Sequence, residues 1–449
     1  MSRLFIAALI AFVATRIWLL GWFEPKLNGD MLIYFRYAVD GVDLGHVPYR
    51  ETDLEYPPLS WWTIAAPRWR PSQPIYRSYL TIGDGSLSDF YPEYFGRFRL
   101  IMAVFDVGAF ALLCAIIARR RRELLGVAAW GYVSSTACLP HVMYDRLDIG
   151  LLFFVLAWAW CWLRAIDSSQ PVLWKLAAFA ALGCGISYKL IPLAIVPAVW
   201  FAELRQAIDQ RRYRSLVAGS ITLLITACGP FAHYYATSGP GVFKLFTYHG
   251  ARGIEIESTW ATLVLPLKWL GMNLSVSHGH GSINLDSPLS STLAVASSLA
   301  LVTILLGSGI LAWRAAKADP VSAGYRVGLL ALLAAVVVSK VLSVQYLLWT
   351  LPVLLLLGIE GATKKQAWQL VGAVTVIAAL STLLYPYLFF LEIPWGNGTI
   401  PNPWPLAPAL HPLPCTVLIV RNALLVAWVV WAGRAILTTN NERGSLGPR

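Results

Sequence analysis

The chain has 449 residues, 57% of them hydrophobic and 13% charged, with a formal net charge of +11. A soluble domain carries about 25% charged residues to cover its surface, so composition excludes a soluble globular protein and points to a membrane one. The surplus Lys and Arg fall in short clusters between apolar stretches, as cytoplasmic loops do, and no basic stripe interleaves with exposed aromatics, so nucleic acid is not an expected partner.

Apolar stretches of about 17–25 residues, the length a hydrocarbon core requires, recur from end to end. The chain opens Met1-Ser2-Arg3-Leu4, like the basic start of a signal peptide. The apolar run continues past Ala14 to Trp22 with Arg16 inside it, so an uncleaved first span is expected over 4–23. Further spans are predicted over 98–118, 124–142, 149–166, 172–187, 190–203, 216–235, 289–313, 325–339, 344–358, 367–391 and 413–437. The expected fold is all-α: one polytopic transmembrane domain over 1–449, about twelve helices, both termini cytoplasmic, and a tail at 438–449.

Short basic loops set the orientation. Arg119 to Arg122, Arg205 with Arg211, Arg212 and Arg214, Arg314 with Lys317, and Lys364 with Lys365 fall on one side in this scheme. The positive-inside rule makes that side cytoplasmic. One crossing over 172–203 would put the Arg211 cluster opposite Arg119, so a hairpin of two short helices is expected, bent near Gly183, Gly185, Pro192 and Pro197. A second short pair covers 325–339 and 344–358. Helices of ~14–16 residues at about 1.5 Å per residue fall short of a ~30 Å core. Their outer apices, carrying Lys189 and Lys340, should therefore be recessed, where a lysine lines a cavity or meets an anion.

Two large extracytoplasmic loops are expected, at 24–97 and 236–288, with no internal repeat and no separate soluble domain. Cys114, Cys138, Cys161, Cys184, Cys228 and Cys415 lie mainly inside apolar spans and show no C-x-x-C spacing, so they read as small core residues.

Asp30 follows the first span in Asn28-Gly29-Asp30. That is turn or helix-capping chemistry; it also puts a carboxylate at the membrane face, able to take a proton from a hydroxyl. The run from Pro48 to Leu59 sets Glu55 and Tyr56 before paired prolines, either a rigid loop or an acidic–aromatic surface for carbohydrate. The second outer loop gathers His249, Arg252, Glu255, Glu257 and Trp260, either a solvated turn or a site where Arg clamps phosphate and Trp stacks on sugar. His278 and His280 lack a third ligand nearby, so no metal site is expected. Arg16, Arg99, Asp106, Asp145, Arg146, Asp148 and Arg421 lie in or beside spans, where charges face a cavity or one another.

Taken together, Asp30, the run ending at Leu59, Tyr144 to Asp148, Ser187 to Pro192, Arg252 to Ser258 and Ser343 to Pro352 resemble the GT-C glycosyltransferases. Within them the resemblance is to glycosyltransferase family 87, bacterial polyprenol-phosphate-dependent mannosyltransferases. It covers most of the chain in the expected order. It implies an inverting enzyme that moves a hexose, mannose first, from a polyprenyl monophosphate to a hydroxyl of a lipid-linked or cell-envelope acceptor. The site would face the extracytoplasmic side of a bacterial cell membrane.

On that resemblance the catalytic aspartate falls on Asp30. Lys189, Arg252, His249 and Lys340 would hold the donor phosphate, and Glu55, Tyr56, Trp260 and Gln345 would contact sugar or acceptor. Asp30 is followed by Met31 where relatives carry paired acids. The missing pair counts against the protein-mannosyltransferase and aminoarabinose-transferase branches, and no metal or other cofactor is expected. A lipid-linked glycan flippase would suit recessed lysine hairpins equally, but transporters carry repeats and midplane sites. An O-antigen ligase or polymerase would place its largest outer loop late in the chain, whereas here it comes first.

Overall fold

A bilayer offers the backbone no hydrogen-bond partners, so apolar runs that cross it close their bonds internally as helices. The computed structural model describes residues 2–25, 29–71, 75, 90–389, 393–395, 398–400 and 410–445. Asn28 and parts of the first outer loop and the tail lie outside them. In chain order the helices are α1 Arg3–Gly21, α2 Gly29–Ala38, α3 Pro58–Ala65, α4 Tyr91–Arg120, α5 Leu125–Ala137, α6 Pro140–Met143, α7 Asp148–Arg164, α8 Pro171–Tyr188, α9 Val196–Gln210 and α10 Arg214–Ser238. They continue with α11 Lys244–Ala251, α12 Thr259–Val264, α13 Ser290–Ala315, α14 Pro320–Val338, α15 Leu347–Ile359, α16 Lys364–Thr382 and α17 Pro412–Ser445. Strands are confined, among the described residues, to two short hairpins; β1 Ser275–Gly279 and β2 Ser282–Asp286 form the first.

Each of the twelve expected spans coincides with a helix. Nine helical segments among the described residues are long and apolar enough to cross a membrane, and the segment Val344–Ile359 is a shorter apolar helix. The chain is an all-α polytopic membrane protein. The hairpin over 172–203 is present, with helix α8 ending at Tyr188 and a new segment starting at Ile191. Its arms are not short, however: 18 residues for Pro171–Tyr188 and 20 for Ile191–Gln210. The reason lies in the second arm's end, where Glu203 to Gln210 continue the helix after apolarity has stopped.

Burial divides the helices into inner and outer sets. All of α15 from Leu347 to Ile359 is buried, and α7 buries Trp158 and Trp162. By contrast, the segments Arg214–Ala251 and Ser290–Ala315 each bury 17% of their most apolar window, the exposure expected of helices that face lipid. Charges inside spans are paired. Arg16 meets Asp106 at 2.8 Å, and the Tyr132 and Tyr144 hydroxyls donate to the same carboxylate. Arg99 donates to Leu19 O and Phe23 O, satisfying carbonyls at the end of α1. Lys175 meets Glu203 at 2.6 Å. Such pairs lower the cost of ions in an apolar interior.

Candidate active site

Helix α2 builds one wall of the site. Its buried face is Met31, Tyr34, Phe35 and Ala38. Asp30, Ile33 and Tyr37, spaced three and four residues apart, face a cavity of about 630 Å³, and Arg36 joins them. Asp30 sits in the first turn, where the helix dipole favours a carboxylate. Arg146 Nε lies 2.9 Å from Asp30 Oδ2, and Oδ1 has no partner among the described residues. Arg146 also donates to Tyr385 Oη at 3.2 Å and to Asp145 O at 3.1 Å, so its guanidinium is held from three directions.

Lys189 is the C-cap of α8, where a cation complements the helix end. Its Nζ donates to Asp148 Oδ1 at 2.7 Å and lies 4.8 Å from the centre of the Tyr346 ring. Asp148, the first residue of α7, also accepts from Trp349 Nε1 at 2.9 Å. Lys189, Tyr346 and Trp349 all line the large cavity.

The second outer loop supplies the facing wall. Arg252 Nε donates to His280 O at 3.1 Å, at a two-residue turn in which His280 and Gly281 have φ of 51° and 67°. Those angles mark the tight turn that suits strand twist in a hairpin. The loop is indexed to the bundle by Glu255 N donating to Lys340 O and to its own hairpin by Ile256 N donating to Ile283 O, both at 2.9 Å. Burial, with Arg252, Lys189 and Lys340 nearby, holds the His249 imidazole down at about 4, so it is neutral near pH 7. Burial pushes the Glu55 carboxyl up, partly offset by the Tyr248 and Tyr56 hydroxyls beside it.

Asp30, Glu55, Tyr56, Lys189, His249, Arg252 and Gln345 therefore line one cavity. Two expected residues fall elsewhere. Lys340 Nζ donates to Gly250 O at 2.8 Å and Arg252 O at 2.6 Å, so it holds the loop from behind. Trp260 Nε1 donates to Val338 O at 2.6 Å and packs against a separate apolar cluster. Four other lining residues were not singled out as ligands: Arg36, Tyr37, Tyr248 and Tyr346. Tyr37 was signalled by its helical spacing from Asp30; Arg36, Tyr248 and Tyr346 carried no sequence signal beyond their place near the motifs.

A second cavity of about 280 Å³ meets the first at Asp30, Gly281 and Gln345. Glu255, Glu257, His278, Ser343 and Tyr385 line it, with Arg146. Burial raises both the Glu255 and the Glu257 carboxyls above the usual range, although Arg252 acts against this at Glu255 and Arg421 at Glu257. Among the described residues no group of three His, Cys, Asp or Glu side chains is placed to hold a metal.

Residues 49–238 match the family model of the dolichyl-phosphate-mannose-protein mannosyltransferases. This matched span, somewhat under half of the chain, agrees with the GT-C resemblance of the motifs. It contains Glu55, Tyr56, Arg146, Asp148 and Lys189 and begins after Asp30. The family is the branch that the single acid at Asp30 counts against, so the match does not bear on that acid. Among solved structures, the chain is similar to ArnT from Cupriavidus metallidurans bound to undecaprenyl phosphate, at 15% identity over 95% of this chain and 77% of that one, with a TM-score of 0.39. No curated protein matches.

Proposed function

We propose that the protein is an inverting glycosyltransferase using a polyprenyl monophosphate hexose, mannose first, at the extracytoplasmic face of a bacterial cell membrane. The observation that carries this is the make-up of the large cavity. Its lining combines Asp30, Lys189, Arg252 and Arg36 with the aliphatic side chains of Ile33, Leu193, Leu301 and Leu305. Leu193 is 52% exposed on the apolar outside of the bundle. A ligand that suits both kinds of lining is amphiphilic: an anionic, sugar-bearing head joined to a long apolar chain. The family match supports the same donor class.

Asp30 is the catalytic base in this reading. An acceptor hydroxyl attacks the anomeric carbon from the face opposite the phosphate. The bond from that carbon to the phosphate oxygen breaks, and its electron pair leaves with the lipid phosphate. The hydroxyl proton ends on Asp30, through the oxygen that Arg146 leaves open. Base help of this kind contributes ~10²–10⁴-fold. Lys189 and Arg252 meet the charge that grows on the leaving phosphate, already in place before it develops. His249, neutral, contributes a hydrogen bond and no charge. A β-linked donor gives an α-glycoside.

The deciding experiment supplies purified protein with polyprenyl-phosphate mannose or glucose and a membrane lipid extract, and follows release of polyprenyl phosphate. Release with sugar transfer is the expected result, and transport of the donor without cleavage overturns the reading.

A further inference from the structure

The smaller cavity plays no part in holding the donor, and its lining differs in kind. Glu255 is satisfied: Leu342 N and Ser343 Oγ donate to its two oxygens at 2.8 and 2.6 Å. Glu257 is not. Its Oε2 accepts from Arg421 Nη2 at 3.0 Å, while Oε1 has no partner among the described residues although Glu257 is only 6% exposed. A carboxyl oxygen of a residue that lines a cavity in this way is open to accept from a donor that enters it. Ile256, Ile283 and Val344 give the same cavity an apolar wall, and Asp30 stands where it joins the donor cavity.

We propose that this cavity is the acceptor site and takes a neutral sugar unit. A ring hydroxyl donates to Glu257, and the ring's apolar face lies on the Ile256, Ile283 and Val344 wall. The assignment rests on Asp30 being the base and the larger cavity being the donor site. Three features select the class. The cation lining the cavity, Arg146, is held by Asp30, Tyr385 and Asp145 O, and Arg421 lies behind Glu257 and is paired with it, so among the described residues the lining offers no unpaired cation to a phosphate or carboxylate on the acceptor. An apolar wall together with acceptor oxygens in one small cavity suits a polyol with one apolar face. At about 280 Å³ the cavity is at the small end of ligand pockets, which run ~300–1,000 Å³. That is room for one ring.

The test uses the full chain in lipid nanodiscs, with polyprenyl-phosphate mannose and glucose as donors. Three acceptors are compared: a neutral alkyl glycoside, the same glycoside bearing a phosphate, and a Ser/Thr peptide. The neutral glycoside should be extended in preference to the other two. Glu257→Gln should raise its KM about 10-fold and leave the donor's KM within about twofold. Because Glu257 is paired with Arg421, a second variant guards against misfolding: Ile283→Trp fills the cavity, and should abolish transfer while polyprenyl phosphate still binds. Preferred extension of the peptide or of the phosphorylated glycoside, or wild-type transfer by Ile283→Trp, overturns the acceptor assignment and leaves the donor reading standing. A wild-type protein that neither binds polyprenyl phosphate nor consumes any donor overturns the donor reading, and this assignment with it.

Discussion

The two cavities that meet at Asp30 share Gly281 and Gln345 yet differ in charge and in apolar character. The larger is lined by Lys189, Arg252 and Arg36 together with aliphatic side chains. The smaller has two carboxylates and a short apolar wall. A phosphate is drawn to the first and meets only paired arginines at the second. The cations thus decide where the phosphate goes, and the base sits at the boundary. Few residues are needed for this sorting, because a buried charge acts strongly on whatever enters beside it.

The sharpest way to break the comparison is at the boundary. Asp30→Asn keeps the volume and removes proton acceptance, and should lower kcat by ~10²–10⁴-fold with polyprenyl phosphate binding retained. A purified variant turning over near the wild-type rate would reduce Asp30 to a helix-start residue paired with Arg146. The next effect belongs to the larger cavity. Lys189→Ala should cost ~10²–10³-fold in kcat, with the acceptor's KM little changed, and a loss confined to acceptor KM would reverse the assignment of the two cavities.

Those two residues also show what sequence carries. A carboxylate after the first span and a lysine at a helical apex each announce themselves, because charge near a bilayer has to have a use or a partner. Nine of the twelve expected spans, among the described residues, coincide with helices long and apolar enough to cross, and were legible for the same reason: apolar length is a strong signal. What sequence did not carry was direction. Lys340 sits at the other apex, yet its ammonium turns to the carbonyls of Gly250 and Arg252. Trp260 lies in the right loop, but its indole meets Val338 O. Arg146 stood out as a charge beside a span and within the Tyr144 to Asp148 motif, but its pairing with Asp30 spans more than a hundred residues of chain. The lengths of helices α8 and α9 were underestimated because polar residues continue a helix that hydropathy has already ended.

Smaller effects test the electrostatics. His249 is held at about 4 in the fold against ~6.5 when unfolded. Between those values the unfolded chain binds more protons, so stability falls as pH drops from about 6.5 towards 4. His249→Gln should flatten that part of a stability-versus-pH curve and leave the curve above pH 7 unchanged. An identical acid limb in the variant would contradict the neutral histidine. Tyr248→Phe removes a hydroxyl beside Glu55 and should change kcat/KM by about 2–10-fold, the scale of one hydrogen bond. Chelation should change least. EDTA is expected to leave transfer rates within error, and activity lost to EDTA and restored by manganese or magnesium would move the phosphate's charge balance from Lys189 and Arg252 to a metal.

One oxygen, Asp148 Oδ1, accepts from both Lys189 Nζ and Trp349 Nε1. Through it the ends of three helices meet at a tetrahedral ammonium, a three-way joint. One N–H is committed to Asp148, and the others remain for a phosphate that arrives from a different direction. A planar guanidinium has its donors in one plane and could not divide them this way. Arginine at position 189 would therefore keep the charge and lose the geometry, so the choice of lysine there is a choice of shape.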